Sequence, residues 1–138
     1  MSSQIIIDCD AGPFCPDGWK VVEHGKGGQL EWDASKIQLY LSKKQEGGSW
    51  IEGNKLREEL ADKSVLNANV LDYLLKNPHF IPEEWKSKYV FFLGTVYCRS
   101  GGYLVVRCLF WFGDEWGWSF RWLVHVFLAL DPAILLAS

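Results

Sequence analysis

Between Lys88 and Phe127 the chain reads as three β-prone runs, KYVFFLGTVYC, YLVVRCLFWF and WGWSFRWLVHVF, separated by the turns RSGG and GDE. β-Branched and aromatic residues fill each run, and short glycine-containing turns between such runs specify hairpins. The pattern predicts an antiparallel meander and commits the last third of the chain to a sheet. Alternate side chains of a strand face opposite sides. Trp116, Trp118, Phe120 and Trp122 therefore share one face, and Gly117, Ser119 and Arg121 share the other. In the preceding strand Leu109 and Trp111 point one way and Phe110 and Phe112 the other. One face is expected to be core, the other a display surface. By the same parity Arg107 falls on the side of Trp111 and Cys108 on the display side, a mismatch that a β-bulge would relieve.

Upstream, QIIIDC reads as a short buried strand, followed by a Gly/Pro/Asp loop through Gly18. WKVVEH and QLEW suggest a hairpin around Gly25 to Gly28. Asp33 is a natural N-cap for a helix carrying Ile37, Tyr40 and Leu41 on one face and closed by Gly47 and Gly48. Leu56 and Leu60 form a short helical stripe. Asn67 caps a second helix with Val70, Leu71, Leu74 and Leu75 inward, which must end before Pro78. The expected fold is α+β: N-terminal strands and short helices, then a C-terminal antiparallel meander. With 138 residues, 49% of them hydrophobic, the chain forms one domain. Residues 1–92 are its scaffold and residues 93–138 its aromatic-rich part.

Several function classes are disfavoured. A net charge of −3 gives no basic field for coating nucleic acid. The two central helices suggest a helix-turn-helix, but the second carries only Asp72 and Lys76 and lacks donors for bases or phosphates. Residues 122–137 are strongly apolar but too short for a membrane span, and they contain His125, Asp131 and Pro132. The opening residues resemble no signal or transit peptide, so the expected compartment is the cytoplasm, with surface display left open. Cys9, Cys15, Cys98 and Cys108 lack zinc-site spacing and are expected to be reduced, with no metal and no cofactor. An enzyme would draw on Cys9 or Cys15 with His24, near Asp8, Asp10 and Asp17, but no motif spacing links them. A solvated acidic loop accounts for the aspartates.

The outward face is unusual in composition. Residues 1–92 contain twenty-three Lys, Glu, Gln and Met residues, whereas residues 93–138 contain one, Glu115. Soluble strands ordinarily turn such residues outward to block edge pairing. Strand propensity explains part of the depletion, but not an outward face of Phe, Gly, Ser, Arg, His and Leu. Replacing the adenines of an asparagine AAC codon at random produces such a set and can never produce Lys, Glu, Gln, Met or Trp.

Adenine-directed mutagenesis belongs to diversity-generating retroelements, and the tail CLFWFGDEWGWSFRWLVHVFLALDPAILLAS resembles the variable ends of their target proteins. The resemblance lies in Trp-x-Trp and in the Pro-Ala-x-x-Leu-Ala-Ser ending. WDASKIQLYLSKKQ and VLNANVLDYLLKNPHFIPEEWK resemble short uncharacterised proteins of candidate-phylum bacteria. The resemblance implies a non-enzymatic ligand-recognition protein with a hypervariable C-terminal surface. Its display residues would be Phe110, Phe112, Gly117, Ser119, Arg121, His125, Leu128, Leu130 and Asp131, framed by Trp111, Trp116, Trp118 and Trp122. The partner would be a protein or surface ligand, of no stated identity, and no oligomeric state is implied. A C-type-lectin-like fold is a further implication, in which the last strand returns to pair with the first. QIIIDC is free to pair with a late strand, whereas DPAILLAS does not read as a strand. GGSW at 47–50 is similar to a lectin signature but lies in the wrong part of the chain. The alternative is a structural or protein-interaction domain using the same aromatic surface without hypervariation.

Overall fold

The computed structural model describes residues 5–137 and has the mixed α+β architecture expected of the sequence. Its centre is the sheet β4 (Ile37–Tyr40), β10 (Ala133–Leu136), β6 (Val90–Cys98), β7 (Leu104–Trp111) and β8 (Trp116–Trp122), in that spatial order, with β2 (Lys20–His24) also paired to β6. The meander β6–β7–β8 is antiparallel throughout.

Both faces of this sheet are covered. On one side lies α3 (Ala68–Lys76), capped by the Asn67 side chain, with Val70, Leu71 and Leu74 buried against Phe92, Leu109 and Ile134. On the other lie α2 (Gly53–Glu59) and the small ribbon of β5 (Ile51–Glu52) and β9 (Val126–Phe127), which bury Leu56, Phe127 and Leu123 against Phe91, Val106 and Cys108. Coverage on both faces is why β6 and β7 read as nearly continuous apolar runs.

Five local expectations are corrected. β1 (Ile6–Asp8) pairs with β3 (Gln29–Glu31), not with a late strand; Gln4, expected to begin it, is outside the described residues. β2 pairs with β6 and β3 with β1, so WKVVEH and QLEW form no hairpin. Asp33 caps only a 3-10 turn, Ala34–Lys36; Ile37–Tyr40 then runs as β4 because β10 supplies an antiparallel partner, and tertiary pairing overrides local helix preference. The helix ended by Gly47 is the four-residue α1 (Lys43–Glu46), started by a Ser42–Gln45 capping box. Finally, DPAILLAS contains β10, which lies between β4 and β6, antiparallel to the first and parallel to the second. The last described strand therefore does not pair with the first.

Candidate binding surface

The β7–β8 hairpin is regular. Its register runs without a break from Val105 opposite Trp122 to Trp111 opposite Trp116, and its turn uses Gly113 at φ 99°, a conformation that favours glycine. No bulge separates Arg107 from Trp111; the register shift in this part of the sheet lies between β6 and β7, at Phe92 to Tyr97. Arg107 therefore does lie on the tryptophan face, where it is 1% exposed. The Asp72 carboxylate accepts two bonds from its guanidinium, at 2.8 and 3.0 Å, and the guanidinium stacks on Trp118 at 4.2 Å. Burial alone would lower the Arg107 pKa, but hydrogen bonding and charge from Asp72, helped by Tyr97, raise it instead.

The opposite face is not uniformly open. At its base Val106 and Cys108 are buried under the α2–β5–β9 layer. Ser119, opposite Cys108, is half-buried. Arg121 is half-buried too, its guanidinium over Phe91 at 4.9 Å and Phe127 at 5.2 Å and its Nη1 2.6 Å from Asp131 Oδ2. Asp131, expected on the surface, is 3% exposed. Beyond this layer the strand emerges. The Phe110 and Phe112 rings meet at 3.8 Å between centroids, their planes tilted by 43°, and the Phe112 ring covers Gly117. His125 is exposed at the far end of β8 with its ring against Trp122.

Leu128 and Leu130, both exposed, lie in a turn that is fixed from beneath. Asp131 Oδ2 accepts from Leu128 N–H at 2.7 Å, and Asp131 N–H donates back to Leu128 O at 3.0 Å. The fully buried Gln45 amide donates to two carbonyls of the turn, Leu128 O at 2.9 Å and Asp131 O at 3.0 Å. Tyr89 joins this turn to the phenylalanines: its N–H donates to Leu130 O, and its ring is 5.3 Å from Phe110. Continuing the β5–β9 register by one residue sets exposed Trp50 opposite Leu128. Phe112, Phe110, Tyr89, Leu130, Leu128 and Trp50 thus form an apolar surface around the Arg121–Asp131 pair, on backbone that is already ordered.

No protein-family model, curated protein or solved structure matches this chain.

Sequence reasoning reached Phe110, Phe112, Leu128 and Leu130 but missed Tyr89, Trp50 and Gln45. Tyr89 reads as the start of a buried strand and Trp50 as part of a loop. Gln45 could be found only through its capping-box spacing to Ser42, which says nothing of the distant turn it holds.

The Cys/His combination is not assembled as a nucleophile and base. His24 Nε2 is 3.1 Å from the Cys9 carbonyl, not its thiol, and Nδ1 is 2.9 Å from Thr95 Oγ1. The Cys9 carbonyl can only accept, so the neutral imidazole carries its proton on Nε2 and Nδ1 accepts from the Thr95 hydroxyl, whose oxygen in turn accepts from Ala68 N–H. Burial, with Asp10 and Asp8 nearby, pushes the Cys9 thiol up to about 11, so it holds its proton at neutral pH. A cleft of about 540 Å³ opens beside His24, between Arg57, Leu60, Lys63 and Gly94. Arg57 is paired there with Glu23, whereas Lys63 has no ion-pair partner among the described residues.

Proposed function

We propose that this chain is a non-enzymatic recognition protein whose ligand, a protein or surface component, is bound by the apolar surface of Phe110, Phe112, Tyr89, Leu128, Leu130 and Trp50. The observation that carries this reading is a turn presenting two exposed leucines on a backbone held from beneath by Asp131, Gln45 and Tyr89. A monomer has little reason to fix exposed apolar side chains so firmly, whereas a binding surface gains affinity from pre-ordering. Adjoining phenylalanines beside a tyrosine supply large apolar contact area. The resemblance of the tail to retroelement targets extends the reading: the surface residues vary between copies and the frame stays fixed. Four unpaired thiols among the described residues fit a reducing compartment such as the cytoplasm.

The burial pattern divides the expected display set. Phe110, Phe112, Leu128, Leu130 and His125 can change without disturbing the core, whereas Arg121 and Asp131 hold each other. Sequencing the 3′ end of this gene across a population of its source cells tests the proposal. Substitutions clustered at codons 110, 112, 125, 128 and 130, with Trp111, Trp116, Trp118 and Trp122 constant, are the expected result. A 3′ end as constant as the rest would remove hypervariation and leave an invariant protein-interaction surface.

A further inference from the structure

We propose that the free edge of β8 is a self-pairing strand that joins two copies of this chain into one continuous sheet. The inference is independent of what the apolar surface binds. Phe112 N–H donates to Glu115 O at one end of the β7–β8 ladder and Leu123 N–H to Leu104 O at the other. With an unbroken register between them, antiparallel alternation turns the backbone groups of Gly117, Ser119 and Arg121 toward β7 and those of Trp116, Trp118, Phe120 and Trp122 outward. Among the described residues none of these four has a partner for its N–H, and of their carbonyls only that of Trp122 is engaged, by His125 N–H. The edge is seven residues long and carries no lysine, proline or bulge, the devices that ordinarily block strand addition.

The sequence of β8 favours a second copy over a foreign strand. With Ser119 on the two-fold axis, Trp116 faces Trp122 of the second copy and Trp118 faces its Phe120. These are the outward-bonding positions, so every free backbone group finds a partner. On one face the cross-strand pairs are then all aromatic, a favourable combination. On the other face Arg121 lies opposite Gly117, so like charges do not meet. The acidic turn at Asp114 and Glu115 comes beside the turn bearing His125, a complementary pairing when the imidazole is charged. An arbitrary extended peptide would satisfy the backbone but not these side-chain pairs.

The test has two parts. Sedimentation velocity of the full chain from about 1 to about 100 µM, the range in which a modest association becomes populated, is expected to show the mass doubling. The second part fixes the register. In a background of Cys15→Ser, Cys98→Ser and Cys108→Ala, Ser119→Cys places two thiols face to face at a non-hydrogen-bonded pair, close enough for a disulfide. It is expected to give a covalent dimer on mild oxidation, while Ser100→Cys, in the turn between β6 and β7, gives none. A chain that stays monomeric overturns the proposal and leaves the edge to an extended segment of another protein. A dimer in which Ser119→Cys cross-links no better than Ser100→Cys also overturns it, since the copies then meet through another surface.

Discussion

Arg121 and Asp131 are ten residues apart in sequence and bonded at 2.6 Å, the arginine on the edge strand β8 and the carboxylate almost wholly buried in the turn that presents Leu128 and Leu130. The carboxylate also accepts from the Leu128 backbone. One side chain thus ties the turn to itself and to the sheet. Arg121→Met leaves a buried carboxylate facing aromatic rings, and breaking such a pair costs about 3 kcal/mol or more. Asp131→Asn keeps a cap for Leu128 N–H but loses the charge, so it is expected to cost less. Denaturant unfolding of both variants, with the double mutant to isolate the coupling, checks the order.

Gln45→Ala removes both side-chain donors to the same turn. Asp131 O then has no partner among the described residues and Leu128 O keeps only Asp131 N–H, for an expected cost of about 1–3 kcal/mol. The expected local signature is faster amide exchange at Leu128 and Asp131, with β6 and β7 amides still protected. Uniform acceleration across the sheet would show that Gln45 supports the whole fold and not this turn.

Two glycines on the sheet should respond oppositely to alanine. A Cβ at Gly94 would lie 2.8 Å from Leu66 O and 2.9 Å from Asn67 Cα, both backbone atoms that cannot yield, so Gly94→Ala is expected to destabilise by about 3 kcal/mol. At Gly117 the new Cβ meets only the Phe112 ring, which is half exposed and free to swing. Gly117→Ala is expected to stay within about 1 kcal/mol of the parent while moving the Phe112 ring signals in NMR. Unfolding midpoints and aromatic chemical shifts check the contrast.

The thiols predict a reactivity order and an alkaline limit. Cys15 is exposed and should react first with a thiol reagent at pH 8, Cys98 more slowly, and Cys9 and Cys108 only on unfolding. Burial pushes Cys108 up to about 12 and Cys9 up to about 11, against about 8.5 in an unfolded chain. Above that unfolded value the native state binds more protons than the unfolded one, so stability falls as pH rises. The contribution of these thiols is complete below about pH 8.5 and fades toward pH 11–12, with a slope from Cys108 of at most about 1.4 kcal/mol per pH unit. Unfolding midpoints between pH 8 and 11, compared with those of Cys108→Ala, measure it.

Elements whose information is local were legible in the sequence. The Gly turns, the alternation through Trp116 to Trp122, and the Asn67 cap with its Val70–Leu74 stripe each specify geometry within a few residues. Elements decided by distant partners were not. Ile37–Tyr40 follows a helix cap yet is a strand, because β10 lies beside it; Ala133–Leu136 lacks a strand pattern yet is one, because β4 and β6 flank it. The site divides in the same way. Alternation correctly separates Phe110 and Phe112 from Trp111, but it cannot tell which part of a face lies under another layer. Cys108 and Phe110 share a face, and only the Phe110 end extends past the β5–β9 ribbon.

The central position of β10 governs the order of assembly. Until residues 133–136 have been synthesised, β4 has no neighbour in the sheet and β6 is open along its Phe91 end. A ribosome-bound chain lacking these residues would expose Phe91, Leu56 and Leu39 while the β6–β7–β8 meander was already formed. Closing the gap joins strands nearly a hundred residues apart, which makes the final step slow. While both the gap between β4 and β6 and the β8 edge are open, the nascent chain most needs a chaperone.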